Sequence, residues 1–218
     1  MSERKHRVAR KKAKNRYLEI DQYQNLVSMF FDRARQGGDK PFLHAKVDGA
    51  WRATSWADAA RQVAALAKSL QLIGLKKGDR VMLVSENRPE WCIADLGIMA
   101  AGCITVPTYT TNTPSDHQHI LDNSGAHAVI VSDSKLAKNL LPSVISSSDA
   151  NIIIGIADLR IGQSGDFDLY RWADLVQGSD ADVAEVTEQV ATITAQANLA
   201  LEKMRTDHQS QLRAAEIS

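Results

Sequence analysis

Three uninterrupted apolar runs constrain the fold of this 218-residue chain more than any other feature. They read Val81-Met82-Leu83-Val84, Val129-Ile130-Val131 and Ile152-Ile153-Ile154. Runs without a polar residue are typical of strands that are covered on both faces, as in a parallel sheet. Helical patterns with capping residues or terminal glycines lie between the runs, so strands and helices alternate. The sequence therefore predicts an α/β fold with a doubly wound, mostly parallel sheet and right-handed crossovers.

The remaining elements are predicted from turn and capping residues. Asp48-Gly49 favours a tight hairpin turn between two short strands, Ser55 is a good N-cap for the next helix, and Gly74 ends that helix. A short apolar element surrounds Trp172. The predicted strands are residues 42–47, 51–54, 80–85, 104–108, 128–132 and 151–155, and the helices that alternate with the later ones are residues 89–101, 114–123 and 134–145.

The last forty residues differ in character from the rest. Residues 181–218 contain neither Gly nor Pro, which favours one long helix. Apolar residues at three-four spacing predict that this helix is amphipathic and could pair with a second copy or with a partner helix. These residues are Val183, Val186, Val190, Ile193, Ala197, Ala200 and Met204. The chain is thus divided into a basic tail (1–24), an α/β domain (25–180) and an amphipathic helix (181–218).

The formal net charge is zero, but the first sixteen residues are strongly basic. We interpret the tail as a solvated or frayed segment with weak attraction to anionic surfaces. Aromatic residues are not interleaved with the charges, so a specific nucleic-acid role is not favoured. Its Lys and Arg residues are Arg4, Lys5, Arg7, Arg10, Lys11, Lys12, Lys14 and Arg16.

The two cysteines and the hydropathy pattern indicate the compartment. Cys92 and Cys103 lie in apolar surroundings without metal-ligand spacing, so we expect reduced, buried, structural thiols. No apolar segment is long enough to predict a transmembrane helix, and none resembles a signal peptide. A cytoplasmic protein is the simplest expectation.

Sequence motifs for catalysis or metal binding are absent from the 218 residues. No dinucleotide-binding or phosphate-binding glycine motif, nucleophile elbow or zinc-protease motif occurs. His117 and His119 are two residues apart on a predicted helix, so they point to different faces and are interpreted as surface histidines. No catalytic residue and no metal ligand is predicted.

Two polar loops follow predicted strands at the edge where open α/β sheets usually bind ligands. Asn87, Arg88 and Trp91 lie in the loop after the strand at 80–85. Two structural alternatives remain, because Trp91 could be a core residue and Asn87 with Pro89 could be a helix start. The loop after the strand at 104–108 contains Tyr109, Thr110 and Thr111.

These loops also carry a resemblance to a known family. Over residues 25–190 the chain resembles the front part of the adenylate-forming, AMP-binding superfamily, and within it the long-chain fatty acyl-CoA synthetases. The similar segments are Leu75-Lys76-Lys77-Gly78-Asp79-Arg80-Val81, Ser85 through Trp91, Ala101-Gly102-Cys103-Ile104-Thr105-Val106-Pro107-Thr108-Tyr109, Thr110 through Pro114, His119-Ile120-Leu121 and Ser124-Gly125-Ala126, with Thr54-Ser55-Trp56-Ala57-Asp58 earlier.

The resemblance implies a two-step reaction in the intact family. ATP and a fatty acid give an acyl-adenylate with the help of Mg²⁺, and coenzyme A then displaces AMP. Asn87, Arg88, Trp91, Tyr109, Thr110 and Thr111 would form the rim of the acyl or nucleotide pocket.

The sequence departs from the family where the phosphate loop is due. It reads Ala191-Thr192-Ile193-Thr194-Ala195-Gln196-Ala197 there, and the catalytic lysine of the family has no counterpart. Without groups that hold and neutralise a triphosphate, we expect this chain alone to bind no ATP, Mg²⁺ or coenzyme A and to be inactive.

Three hypotheses follow from this departure. The chain is a truncated N-terminal subdomain of a ligase, a non-catalytic interaction protein that uses the helix at 181–218, or one half of a split ligase. A subdomain without its neighbouring layers should expose apolar helix faces, so we expect low solubility or self-association through the stripe from Val183 to Met204.

Overall fold

The computed structural model describes residues 22–160 and 165–217. The prediction for the basic tail falls on residues that lie almost entirely outside this range. None of the helices in the described ranges combines the length and the apolarity that a bilayer crossing requires.

Helices and strands alternate along the chain as the apolar runs predict. The helices are α1 (Leu26–Gly37), α2 (Trp56–Leu72), α3 (Pro89–Ala100), α4 (Pro114–Ser124), α5 (Ser134–Ser146), α6 (Trp172–Leu175) and α7 (Asp180–Ile217). The strands are β1 (Pro41–Val47), β2 (Ala50–Ser55), β3 (Arg80–Val84), β4 (Ile104–Thr108), β5 (Ala126–Val131), β6 (Ile152–Gly155) and β7 (Asp168–Arg171).

The main sheet has five parallel strands in the order β4-β3-β5-β6-β7. After β3 the chain moves outward to β4, and it then crosses back to place β5 on the other side of β3. This reversal of direction makes the boundary between β3 and β5 the switch point of a doubly wound sheet. The predicted fold class is therefore confirmed, and β4 and β7 form the two edges of the sheet.

The apolar runs are buried on both faces because helices cover both sides of the sheet. Val81 and Leu83 pack against the layer that contains α1, α2, α3 and α7. Met82 and Val84 point to the opposite layer, which α4 and α5 provide. All four side chains are fully buried, so the unbroken run reflects two separate cores on either side of one strand.

The predicted hairpin forms a second, two-stranded sheet. β1 and β2 are antiparallel, and the turn places Asp48 at φ 51° and Gly49 at φ 81°, the left-handed backbone that a tight hairpin turn requires. Phe42 of β1 stacks on Trp56 of α2 with ring centroids 3.7 Å apart. This aromatic contact fixes the hairpin to the helical layer.

Helix α7 is divided by its surroundings into two halves. The docked half (180–194) packs against α1 and α2, where Val186 and Val190 are buried. Lys68 binds Asp182 at 2.8 Å and Glu185 at 2.7 Å. The hydrogen bond from Lys68 is the main reason that the pKa of Asp182 is lowered to about 2.

Residues 195–211 of α7 make no such contacts with the other described elements. At the end of the docked half, the amide of Asn25 donates a hydrogen bond to the Thr194 hydroxyl at 2.7 Å. Every side chain from 195 to 211 is exposed. We call residues 195–217 the projecting half. The predicted apolar stripe is thus partly used inside the molecule, and only its second part, from Ala197 to Met204, is available for self-association.

Two predictions about side chains are wrong. His117 was expected at the surface, but it is 1% exposed and shares the buried face of α4 with Leu121, four residues further on. Cys103 is buried as expected, whereas Cys92 is partly exposed. The spacing of His117 and His119 separates their faces correctly, but it does not tell which face is the inner one.

The buried His117 should make stability depend on pH. Burial lowers the pKa of its imidazole, and the charge of Asp116 opposes this only in part. An unfolded histidine titrates near pH ~6.5, so below that pH the unfolded chain binds a proton that the folded chain does not. The free energy of unfolding should therefore fall as the pH decreases from about 6.5 toward the folded pKa.

Urea unfolding at pH 7 and pH 5 checks this effect. His117→Gln should show a smaller loss of stability between the two pH values than the parent chain. His44→Gln, on exposed strand β1, is the matched control and should retain the full loss. An equal loss in the parent chain and in His117→Gln would rule out His117 as the source.

Candidate functional site

A cleft of about 590 Å³ opens at the carboxyl ends of β3 and β4. Parallel pairing of the two strands brings the loops that follow them to the same edge, with Val84 opposite Thr108. The cleft is lined by Ser85, Glu86, Asn87, Trp91, Pro107, Thr108, Tyr109 and Thr110. Its position beside the switch point is where doubly wound sheets bind ligands.

The first loop is shaped by the start of α3. Arg88 is the N-cap residue, and Pro89 occupies the first turn, where a missing backbone N–H has no cost. The Arg88 guanidinium makes two hydrogen bonds to the Glu90 carboxylate, at 2.8 and 3.1 Å. Trp91 is partly buried against the core and also lines the cleft. Both interpretations of Trp91 are therefore compatible with its position.

The second loop is closed by short polar contacts. The Asn112 amide donates to the Thr108 hydroxyl at 2.6 Å, and Thr113 forms a capping box with Asp116 at the start of α4. These contacts hold Tyr109 at the mouth of the cleft with 80% of its surface exposed. An aromatic ring this exposed is free to contact a bound molecule.

Glu86, which lines the cleft, makes a contact that sequence reasoning missed. The fully buried Ser132, directly after β5, donates a hydrogen bond at 2.7 Å to the carboxylate of Glu86, the second residue after β3. This contact bridges the two strands of the switch point and orients Glu86. Only the strand order brings the two residues together, so no local signal in the sequence could have identified the pair.

The electrostatics of the cleft are set by one carboxylate and by the absence of a facing cation. The hydrogen bonds that Arg88 donates to the Glu90 carboxylate, with smaller contributions from the charges of Glu86 and Asp133, raise the pKa of Arg88. Its charge is therefore engaged with Glu90. None of the residues that line the cleft is Lys or Arg. Within residues 22–160 and 165–217 no group of three or more His, Cys, Asp or Glu side chains could hold a metal ion.

The structure brings together four of the six predicted site residues. Asn87, Trp91, Tyr109 and Thr110 line the cleft. Arg88 turns to Glu90, and Thr111 lies exposed beyond the lining. Ser85, Glu86, Pro107 and Thr108 were not predicted, although each is adjacent in sequence to a predicted residue or loop. A cleft with one carboxylate and no cation in its lining can accept an apolar or aromatic group and hydrogen-bond it through hydroxyls and one amide.

The parallel sheet with helices on both faces and a cleft beside the switch point defines a doubly wound α/β domain. Comparison with known proteins narrows this class. Residues 30–195 match the family of AMP-binding enzymes, and because this is more than half of the chain, the protein belongs to that family.

Two relatives are long-chain-fatty-acid–CoA ligases. The chain is 30% identical over 174 residues to ligase FadD15 of Mycobacterium tuberculosis, a match that covers 80% of this chain and 28% of the relative. It is 36% identical over 135 residues to the ligase of Salmonella typhimurium, covering 62% of this chain and 23% of that one. The chain thus spans less than a third of the length of these relatives.

A solved structure shows the same fold. A mutant form of coronafacic acid ligase from Pectobacterium brasiliense superposes with a TM-score of 0.60 at 17% identity, covering 69% of this chain and 29% of that one. At this identity the likeness concerns the fold alone.

Proposed function

We propose that residues 25–194 form the N-terminal scaffold of a fatty-acyl-CoA ligase and that the cleft holds the apolar part of the acyl substrate. In the family reaction the carboxylate of that substrate is activated with ATP and transferred to coenzyme A. We further propose that these 218 residues alone do not perform this reaction. The observation that carries the proposal is the composition of the cleft wall.

The wall favours an acyl chain over a polyphosphate. Trp91, Pro107 and Tyr109 supply apolar and aromatic surface, while the hydroxyls between them are neutral. Glu86 would repel both a substrate carboxylate and a phosphate. The charged end of the substrate should therefore lie away from this wall, and its hydrocarbon part against it.

The proposed lack of reactivity has a physical reason. Transfer chemistry on ATP requires backbone amides, cations and Mg²⁺ that neutralise charge as the phosphate bond breaks. The cleft presents no cation, and no glycine-rich phosphate loop occurs in the 218 residues. The intact family uses ATP, Mg²⁺ and coenzyme A, but nothing in this cleft would hold them.

Titration of the purified chain with a long-chain fatty acid, adenosine and Mg·ATP tests the assignment. We expect saturable binding of the fatty acid, about tenfold weaker for Tyr109→Ala, because the exposed ring is lost as a contact. Position 109 is at the surface, so this variant should fold normally. We expect no micromolar binding of Mg·ATP and no acyl-adenylate when both substrates are supplied.

The matched control is Trp51→Ala, which removes another exposed aromatic side chain from hairpin strand β2. It should bind the fatty acid as the parent chain does. Adenosine binding that Tyr109→Ala weakens, without fatty-acid binding, would assign the cleft to the nucleotide. Acyl-adenylate formation by the purified chain would overturn the proposed inactivity.

A further inference from the structure

We propose that two copies of this chain associate antiparallel through α7. The projecting half of each copy would lie in an apolar groove beside the docked half of the other. The chain carries both surfaces that such a contact needs, and no part of residues 22–160 and 165–217 covers either of them. Because the same two surfaces meet twice, the contact closes on itself as a twofold dimer.

The groove lies between α1 and the docked half of α7. It has a volume of about 720 Å³, larger than the cleft at the switch point. Its α1 and α2 sides are formed by Phe31, Ala34 and Ala60, and its α7 side by Val183, Ala184, Thr187, Val190 and Ala191. Three charged residues also line it, namely Asp32, Arg35 and Asp180. A groove of this composition fits the apolar face of a helix.

The projecting half supplies an apolar helix face. At ~100° per residue, Ala197, Leu201 and Met204 lie within about 40° of the line that Val186 and Val190 mark in the docked half. The stripe that is buried against the body therefore continues into solvent, where Leu201 is 49% and Met204 is 59% exposed. An apolar stripe on a helix that leaves the body indicates a missing partner.

Two independent observations place the boundary between the docked and the projecting half of α7 at the same residues. Burial of α7 ends at Thr194, and the match to the AMP-binding family ends at residue 195. The docked half thus belongs to the family scaffold, while the projecting half lies beyond the matched region. The family scaffold therefore gives no reason for the exposed stripe.

Charge favours the antiparallel over the parallel orientation of two copies. The docked half carries Asp180, Asp182, Glu185 and Glu188 and no Lys or Arg, and α2 neutralises only part of this charge through Arg61 and Lys68. The projecting half is formally neutral, because Lys203, Arg205 and Arg213 are balanced by Glu202, Asp207 and Glu216. An antiparallel pair therefore places a neutral half beside each acidic half, whereas a parallel pair places the two acidic halves together, where they repel.

The lengths of the two halves are compatible with this arrangement. The docked half of 15 residues spans about 22 Å, and the projecting half of 23 residues spans about 34 Å. With the twofold axis near residues 194 and 195, each projecting half can cover the full length of the partner's docked half.

Sedimentation equilibrium of the 218-residue chain at micromolar concentration tests the dimer. We expect twice the mass of one chain. Met204→Glu should weaken the dimer at least about tenfold, because it places a charge in the apolar contact. Leu199→Glu is the matched control, since Leu199 is 70% exposed and points away from the stripe, and it should leave the mass unchanged.

A groove variant tests the other side of the contact. Thr187→Glu lies on an exposed position of the docked half, so it should fold normally and weaken the dimer as Met204→Glu does. A monomeric parent chain would overturn the proposal. A dimer that Thr187→Glu leaves intact, or one that Leu199→Glu disrupts equally, would also overturn it.

Orientation requires a distance measurement. In a chain with Cys92→Ser and Cys103→Ala, spin labels at Gln209→Cys should lie about 40 Å apart in the antiparallel dimer. A parallel pair would bring them to roughly 10 Å, the spacing of packed helices. A short distance would contradict the proposal even if the chain is dimeric.

Discussion

Leu66→Ala should lower the free energy of unfolding by about 3 kcal/mol. Leu66 is fully buried in α2 and packs over Gly97 of α3, where an added Cβ would lie 2.6 Å from the leucine methyl group. The two helices approach so closely at this glycine that the surroundings cannot easily fill the space that the leucine leaves. The cost then includes both the lost burial and the remaining cavity.

Leu72→Ala is the matched control for this prediction. It makes the same substitution in the same helix at a position that is 84% exposed, so the free energy of unfolding should change by no more than about 0.5 kcal/mol. Urea denaturation of both variants measures the difference. Equal effects would mean that α2 does not pack against α3 through Leu66.

Arg80→Met should destabilise the chain by about 2 kcal/mol through the loss of a charged donor. The guanidinium donates hydrogen bonds to the carbonyl oxygens of Ser124 at 2.7 Å, Gly125 at 2.6 Å and Gly78 at 3.3 Å. Two of these acceptors end α4, where a positive charge also stabilises the helix dipole. Methionine retains much of the aliphatic length but leaves the carbonyls without this donor.

The matched control is Arg35→Met in the last turn of α1. Arg35 pairs with Asp32 at 2.6 Å, but its side chain is 81% exposed, so the loss should be no more than about 0.5 kcal/mol. Thermal and urea unfolding of the two variants provide the comparison. If Arg80→Met lowers the free energy of unfolding by no more than Arg35→Met does, the three carbonyl oxygens do not depend on the guanidinium for their hydrogen bonds.

The fold could be predicted from the sequence where a local pattern determines the structure. The run at Val81 indicated cover on both faces, and Asp48-Gly49 favoured a two-residue turn with positive φ that matches the twist of the strands. Strand β7 was not recognised as a strand. Its four residues are mostly exposed, and it is defined by backbone pairing with β6 rather than by its own composition.

The candidate site was predicted less completely, because part of it is defined by contacts rather than by the local sequence pattern. Asn87 and Tyr109 could be placed at one sheet edge because parallel strands end together. The contact between Glu86 and Ser132 joins residues 46 positions apart, and the turn of Arg88 toward Glu90 depends on rotamers rather than on position. The division of α7 into a docked and a projecting half could not be predicted from the sequence either. Val190 and Met204 belong to one periodic apolar stripe, and they differ only in that Val190 packs against the rest of the molecule while Met204 faces solvent.

The edges of the main sheet also bear on aggregation. An open parallel strand can act as a template on which further chains add. Edge strand β4 carries Pro107, which has no N–H to donate to an incoming strand. Ile104, at the start of the same strand, is 53% exposed. At the opposite edge, β7 is short and presents Asp168 and Arg171. Fibril-like growth is therefore discouraged at both margins, which leaves association to helical surfaces.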